Sequence, residues 1–308
     1  MKKGNLLSIG VLSSTDFMEL LARADRLKER HRAGMGPRPL TGKTLGMIFE
    51  KSSTRTRTSF EAAMNQLGGA SLFLPVQDLH IQRGETIADT ARVLSGYLDA
   101  LVIRTFGQEL LEEWANSAEV PVINGLTDLH HPCQALGDLM TIREHFKQLK
   151  GIRMAYIGDG NNVAHSLIEA ASKSGLQIHV ASPAGHEPDA GIVSAAKKEA
   201  QETGADIQVG GDPAEAARDA DVIYTDVWVS MGQEKGARAK AKKFQPFQVN
   251  EKLVGTAKDS AIVMHCLPAH RGEEITSSVM DGPQSVIWAQ AENRLHAQKA
   301  VLEWLLVP

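Results

Sequence analysis

Between positions 49 and 58 the chain runs Phe49-Glu50-Lys51-Ser52-Ser53-Thr54-Arg55-Thr56-Arg57-Thr58, a density of hydroxyls and guanidiniums that suits a phosphate. The run leaves a β-rich stretch and enters a helical pattern carrying Phe60, Ala63, Met64 and Leu67, closed by Gly68-Gly69. A phosphate there meets the free N–H groups and the positive dipole end of a helix N-terminus. Ser53, Thr54 and Thr56 add donors, and Arg55 can bind two oxygens at once. A serine in such a place is more often only an N-cap, and an arginine only a solvated charge; the strand-to-helix setting is what favours the anion. Arg57 lies roughly 100° around the helix from Thr56 and takes a weaker part.

Two further groups end strands on what should be the same rim, because ligands of open α/β sheets gather at the carboxyl ends of the strands. Arg104 closes the apolar run 100–103, and His131-Pro132-Cys133-Gln134 opens a helix holding Leu136, Leu139 and Met140. A lone Arg or His-Pro is ordinary surface or turn. Together with residues 53–57 they supply Arg, His and Gln donors fit for a polarised carbonyl oxygen beside a phosphate.

The second half carries a different chemistry. Gly158-Asp159-Gly160-Asn161-Asn162-Val163 joins a strand to a helix and looks at first like a dinucleotide fingerprint, but Val163 stands where the third glycine belongs. Amides at a helix N-terminus suit a carboxylate equally well. Two later strands end in Asp226-Val227-Trp228-Val229-Ser230-Met231-Gly232 and His265-Cys266-Leu267-Pro268-Ala269-His270-Arg271-Gly272-Glu273-Glu274. An Asp with nearby Ser and backbone N–H groups is what an α-amino and α-carboxylate pair requires. His265, Cys266 and His270, with His130, His131 and Cys133, raise a zinc reading, which the lack of a C-x-x-C pair or an H-E-x-x-H disfavours; no metal and no cofactor is expected.

These segments need a scaffold, and the chain's patterning supplies one. Phe17, Leu20, Leu21, Ala24 and Leu27 repeat at helical spacing behind the caps Ser13, Ser14 and Thr15. β-rich runs at 45–49, 70–74, 100–104 and 120–124 alternate with helical stretches such as 87–97. A second series follows at 154–157, 177–181, 206–209, 222–225, 262–265 and 286–288, while 232–243 reads as a polar loop. The alternation predicts an α/β protein of two doubly wound domains, each a parallel sheet flanked by helices: 1–149 and 150–290, with a C-terminal helix over 291–308 crossing back to the first. With 308 residues, 43% of them hydrophobic, two cores are affordable, and a formal charge of −4 with interspersed signs excludes a nucleic-acid stripe. Neither a signal peptide nor a membrane span is legible and the two cysteines make no disulfide framework, so a cytoplasmic protein with small-molecule partners is expected.

The ordered set Ser53-Thr54-Arg55-Thr56-Arg57, Arg104, His131-Pro132-Cys133-Gln134, Asp226 with Ser230-Met231-Gly232, and His265-Cys266-Leu267-Pro268 resembles the signature of the carbamoyltransferases from end to end. The first two motifs are similar across that family, whereas Ser230-Met231-Gly232 and Cys266-Leu267-Pro268 resemble its ornithine-using branch. The resemblance implies a carbamoyl-phosphate domain, then an ornithine domain, in a homotrimer with sites shared between neighbours. It implies that Ser53, Thr54, Arg55, Thr56, Arg104, His131 and Gln134 hold carbamoyl phosphate together with Cys266, Leu267 and Arg294. Asn162, Asp226, Ser230 and Met231 would hold the amino acid, and Cys266, Arg104 and His131 would act in catalysis. One departure stands out: where family members carry a glutamine in a loop that reaches the neighbouring subunit's phosphate, this chain has His80, with Gln82 two residues on. Carbamoyl transfer to putrescine or aspartate, and a dehydrogenase-like nucleotide-binding protein, are the competing expectations; the last leaves residues 53–57 and 131–134 unexplained.

Overall fold

The computed structural model describes residues 4–36, 38–229 and 237–307, the side chains of 237 and 238 excepted. The chain divides into two compact units, Met1–Met140 with Asn293–Pro308, and Thr141–Glu292. The division falls inside two helices, at 140/141 and at 292/293.

The first unit opens with α1 (Ser14–Arg32), capped by the Ser13 hydroxyl, which accepts from the Asp16 N–H at 3.0 Å. Its buried face is Phe17, Leu20, Leu21, Ala24 and Leu27, the stripe expected from helical spacing. Then follow β1 (Thr44–Phe49), α2 (Thr54–Gln66), β2 (Ala70–Pro75), α3 (Ile87–Ser95), β3 (Ala100–Arg104), α4 (Gln108–Ser117), β4 (Val122–Leu126) and the start of α5 (Pro132–Phe146). The four strands form a parallel sheet in the order β2-β1-β3-β4. Every residue of β3 is buried, as befits a central strand covered on both faces, whereas edge strand β2 alternates. Leu6 extends the far edge through bonds to Val122 and Asn124. Ile48, Leu98, Leu101, Ile103, Leu111, Trp114 and Val122 make the core on one face of this sheet.

The second unit holds β5 (Arg153–Ile157), α6 (Asn162–Ser174), β6 (Gln177–Ala181), α7 (Ala190–Thr203), β7 (Asp206–Gly210), α8 (Pro213–Ala217), β8 (Val222–Thr225), α9 (Ala237–Phe244), α10 (Glu251–Val254), β9 (Ile262–His265) and α11 (Ser277–Met280). Its parallel sheet runs β7-β6-β5-β8-β9. Of the polar loop expected over 232–243, residues 237–243 are helical, within α9, and 232–236 lie outside the described residues. The predicted strand at 286–288 is absent: Val286 donates one bond to Val263 and α12 (Ile287–Leu306) starts at the next residue. Three β-prone residues are too few to resist the helix-forming Ala-Gln-Ala-Glu run that follows them. From Asn293 onward α12 belongs to the first unit, where Glu303 pairs with Arg23 of α1 at 2.6 Å and the Asn293 carbonyl accepts from Lys28 at 2.5 Å. No helix among the described residues is long and apolar enough to cross a membrane.

Each strand order contains one reversal of winding. In the first sheet it falls between β1 and β3, in the second between β5 and β8. Such a switch point leaves a crevice outside the carboxyl ends of the two strands, and the chemistry-bearing segments leave those strands.

Candidate functional site

At the first switch point, α2 begins directly after β1. Ser53 is its N-cap, the hydroxyl accepting from the Thr56 N–H at 3.2 Å, and no acidic residue lies in the first turn to oppose an incoming anion. Thr54 and Arg55 are exposed at the helix tip while Thr56 is buried. The neighbouring strand ends in Arg104, also buried, whose Nη1 reaches the Gly125 carbonyl at 3.4 Å and whose Nε has no hydrogen-bond partner. His131 precedes α5 and caps it through its carbonyl, which accepts from the N–H groups of Gln134 and Ala135.

Arg294 of α12 completes this cluster. Its guanidinium donates at 2.6 Å to the Gln134 side-chain carbonyl and at 3.2 Å to the Thr56 hydroxyl. Gln134 in turn donates to Asp138 at 2.8 Å. Gly137 allows the approach, since a Cβ there would lie 3.3 Å from Arg294 Cδ. The result is a largely buried set of donors whose cations oppose one another. Burial, Arg294 and Arg55 lower the Arg104 pKa from 12.5 to about 9. Burial first, then Arg294, Arg104 and Arg55, hold His131 well below the usual histidine range, so its ring is neutral at pH 7. An anion entering here would relieve that repulsion.

The structure thus brings Thr56, Arg104, His131, Gln134 and Arg294 into one cluster with Ser53, Thr54 and Arg55 at its helix tip. His80 and Gln82 stand exposed on the single turn His80–Arg83 and make no hydrogen bond to that cluster among the described residues. Lys51, which sequence reasoning passed over, is buried; its ammonium pairs with Asp128 and lies 4.1 Å from the centre of the Phe106 ring.

At the second switch point the loop after β5 passes through Gly158, at φ 148°, and Gly160, where a Cβ would strike the Pro188 nitrogen at 2.2 Å. Gly158 thus answers a backbone conformation and Gly160 a close packing contact. Asn161 caps α6, its carbonyl accepting from Val163 and Ala164, while its amide donates to Asp226 Oδ2 at 2.7 Å. Asn162 is the first residue of α6. Asp226, buried at the end of β8, accepts through Oδ1 from its neighbour's N–H at 2.7 Å and from the Cys266 thiol at 2.8 Å. Cys266 itself is half-buried. Ser230 and Met231 lie outside the described residues.

Leu267 has φ 61°, a left-handed backbone that a leucine avoids at a cost of about 1–3 kcal/mol unless its surroundings hold it. They do: the Leu267 N–H donates to His265 Nδ1 at 2.9 Å, and His265 Nε2 lies 3.1 Å from Oε1 of Glu274, which has no exposed surface. With Nδ1 an acceptor, Nε2 carries the proton and donates to Glu274. This tautomer lock positions the segment around Cys266, and Glu274 is a residue that sequence reasoning left without a role. Asp226, His265 and Cys266 come within 4.8 Å of one another, but both His265 nitrogens are engaged.

The chain matches two family models: "Aspartate/ornithine carbamoyltransferase, carbamoyl-P binding domain" over residues 4–144, and "Aspartate/ornithine carbamoyltransferase, Asp/Orn binding domain" over residues 150–305. It is 57% identical over 306 residues to an ornithine carbamoyltransferase of Anoxybacillus flavithermus, covering 99% of this chain and 98% of that one. It is 54% identical over 298 residues to the anabolic ornithine carbamoyltransferase of Pyrococcus furiosus, covering 97% of this chain and 95% of that one. A solved structure of an ornithine carbamoyltransferase from the same archaeon superposes with a TM-score of 0.96 at 53% identity, covering 98% and 97% of the two chains.

Proposed function

The chain belongs to the aspartate/ornithine carbamoyltransferase family, and on that premise we propose that it moves the carbamoyl group of carbamoyl phosphate to the δ-amine of ornithine, giving citrulline and phosphate. The cluster of the first unit is the carbamoyl-phosphate side. The phosphate takes the N-terminus of α2 with Ser53, Thr54 and Arg55; the carbamoyl oxygen takes Thr56, Arg104 and the neutral His131; and Gln134 with Arg294 completes the cradle. The second unit binds the amino acid: Asp226 holds the α-ammonium and Asn162 the α-carboxylate, with Ser230 and Met231 as further contacts.

Ornithine's δ-amine resembles lysine's, with a pKa of ~10.4, so roughly one molecule in a few thousand carries the neutral nucleophile at pH 7. We take Cys266 to lie beside the δ-nitrogen, where as a thiolate it accepts the amine's proton or as a thiol helps desolvate the amine; the thiol is oriented by its 2.8 Å contact with Asp226. Attack puts negative charge on the carbamoyl oxygen, where each donor lost costs ~10²–10³ in rate. Arg55 and the helix N-terminus stabilise the departing phosphate.

The observation that carries ornithine over the other amines is the buried Asp226 carboxylate bonded to Asn161 and Cys266. It would repel aspartate, and putrescine offers no carboxylate for Asn162. The relatives from Anoxybacillus and Pyrococcus act under the ornithine name, which supports the same choice. We further infer a homotrimer in which His80 or Gln82 reaches a neighbouring cradle, and a cytoplasmic setting, which the two free thiols suit. Purified protein should form citrulline from carbamoyl phosphate and ornithine while turning over putrescine and aspartate at least a hundredfold more slowly. Equal rates with putrescine would remove the ornithine assignment, and light scattering checks the trimer.

A further inference from the structure

We propose that His270, Glu273 and Glu274, in the loop after β9, form a binding site for a divalent transition-metal ion of the zinc type. One ligand atom from each lies within 4.8 Å of the others. The observation that points to a ligand is the buried carboxylate. Glu274 has no exposed surface; its Oε1 accepts from the His270 N–H at 2.5 Å and from His265, yet its Oε2 has no hydrogen-bond partner. A buried carboxylate oxygen left in this way costs free energy unless a cation or donor reaches it.

The atom facing that oxygen is Nδ1 of His270, 3.8 Å away. That separation exceeds a hydrogen bond. It falls just short of the span of about 4.2 Å that two ligands on opposite sides of one ion, each about 2.1 Å from it, would reach, and a closure of about 0.4 Å brings the pair to tetrahedral spacing. Arg271, the cation between these residues in sequence, is turned to Asp281, with its Nη2 2.9 Å from Oδ1, and so does not serve Glu274. The turn itself is firmly placed: Gln248 donates to the carbonyls of Gly272 and Glu273 at 3.0 and 2.9 Å, and Val249 donates to that of Glu274 at 2.8 Å. One imidazole nitrogen and two carboxylates make a borderline donor set that suits zinc, and three protein ligands leave a fourth position for water.

An ion there would not touch the transferred group. It would compensate the Glu274 charge while Oε1 keeps its contact with His265, and thereby stiffen the His265–Leu267 segment that carries Cys266. Its role is structural or regulatory, and its binding is independent of the carbamoyl-transfer reading because it is measured on the resting protein.

The test is calorimetric titration of the full chain with zinc chloride in phosphate-free buffer, repeated on His270→Ala, Glu273→Gln and Cys266→Ser. His270 and Glu273 are exposed, so their variants should fold, and circular dichroism checks this. One saturable equivalent is expected, weakened at least tenfold by His270→Ala and by Glu273→Gln and unaltered by Cys266→Ser. The absence of saturable binding would overturn the proposal, as would binding indifferent to His270→Ala. So would an isotherm abolished by Cys266→Ser, because the ion would then sit on Asp226, His265 and Cys266.

Discussion

Replacing Arg104 by Met should stabilise the ligand-free protein while disabling it. Arg104 is buried, its Nε lacks a partner, and burial with Arg294 and Arg55 brings its pKa from 12.5 down to about 9. At about 1.4 kcal/mol per unit, holding that charge at neutral pH costs up to about 5 kcal/mol. Methionine removes the charge and keeps most of the volume. It loses one long hydrogen bond, 3.4 Å to Gly125, and some packing, together about 1–2 kcal/mol. The net expectation is a gain of about 3 kcal/mol, which raises the melting temperature by about 5 °C or more. The sign with pH follows from the direction of the shift. Below about 9 Arg104 is charged in both folded and unfolded chains and the penalty is full; as pH rises from about 9 toward 12.5 the folded protein sheds the proton first and the penalty fades. The assay is thermal melting at pH 7 in phosphate-free buffer, with and without added inorganic phosphate, beside steady-state kinetics. Phosphate, held by the α2 N-terminus and Arg55 rather than by Arg104, should raise the melting point of parent and variant alike, while kcat/KM should fall by ~10²–10³ in the variant. A variant that melts below its parent without ligand would show the opposite, that Arg104 is a structural residue whose bonds outweigh its charge.

Arg55→Ala should weaken carbamoyl phosphate by about 10–100-fold in calorimetry, the worth of a charge-assisted contact; unaltered affinity would remove Arg55 from the phosphate site. Cys266→Ser should lower turnover and displace the limb of the pH–rate profile that reports loss of the amine's proton, whereas an unmoved profile would free the thiol of any proton role. Asp226→Asn should raise KM for ornithine at least tenfold and leave that for carbamoyl phosphate within twofold; parallel losses would mean a general collapse of the β8 terminus. Acid should also loosen the fold through His131, held well below the ordinary histidine range, and His296, lowered to about 3 by burial and then Lys299. Both stay neutral in the folded chain while their unfolded counterparts take protons below pH 6.5, so stability falls with pH by up to about 2.7 kcal/mol per unit. Urea midpoints at pH 7, 6 and 5 should drop, and a level series would contradict both assignments.

The parts of the site legible in sequence are those whose signal is local. Ser53 precedes a helical pattern and follows a strand, so its capping role needs no tertiary information, and the same holds for Arg104 at the end of a wholly apolar run. Arg294 has no such signal: it is one arginine on an ordinary helix, and its bond to Thr56 spans 238 positions, so only family likeness singled it out. Asn161, which drew no role from that likeness, stands one residue before the amide it chose and donates to Asp226 at 2.7 Å. Glu274 carried no role in the sequence because burial of a carboxylate depends on what folds over it, here the segment around Val249. The false strand at 286–288 shows the reverse error, a local β preference overridden by the helix that starts within it.

Strand order explains why residues so far apart in sequence can share one chemistry. Within each sheet the winding reverses once, and helices leave adjacent strands to opposite faces at that point, so the strand ends stay uncovered. A buried charge elsewhere in such a sheet would have to be paired at once. At β1 and β3 the chain instead leaves Arg104 among other cations, and at β5 and β8 it ties Asp226 to an amide, a backbone N–H and a thiol. Each crevice therefore holds an excess of one sign, positive in the first unit and negative in the second. Under the proposed function, an anionic phosphate in the first unit and a cationic amine in the second are the partners that would discharge these excesses.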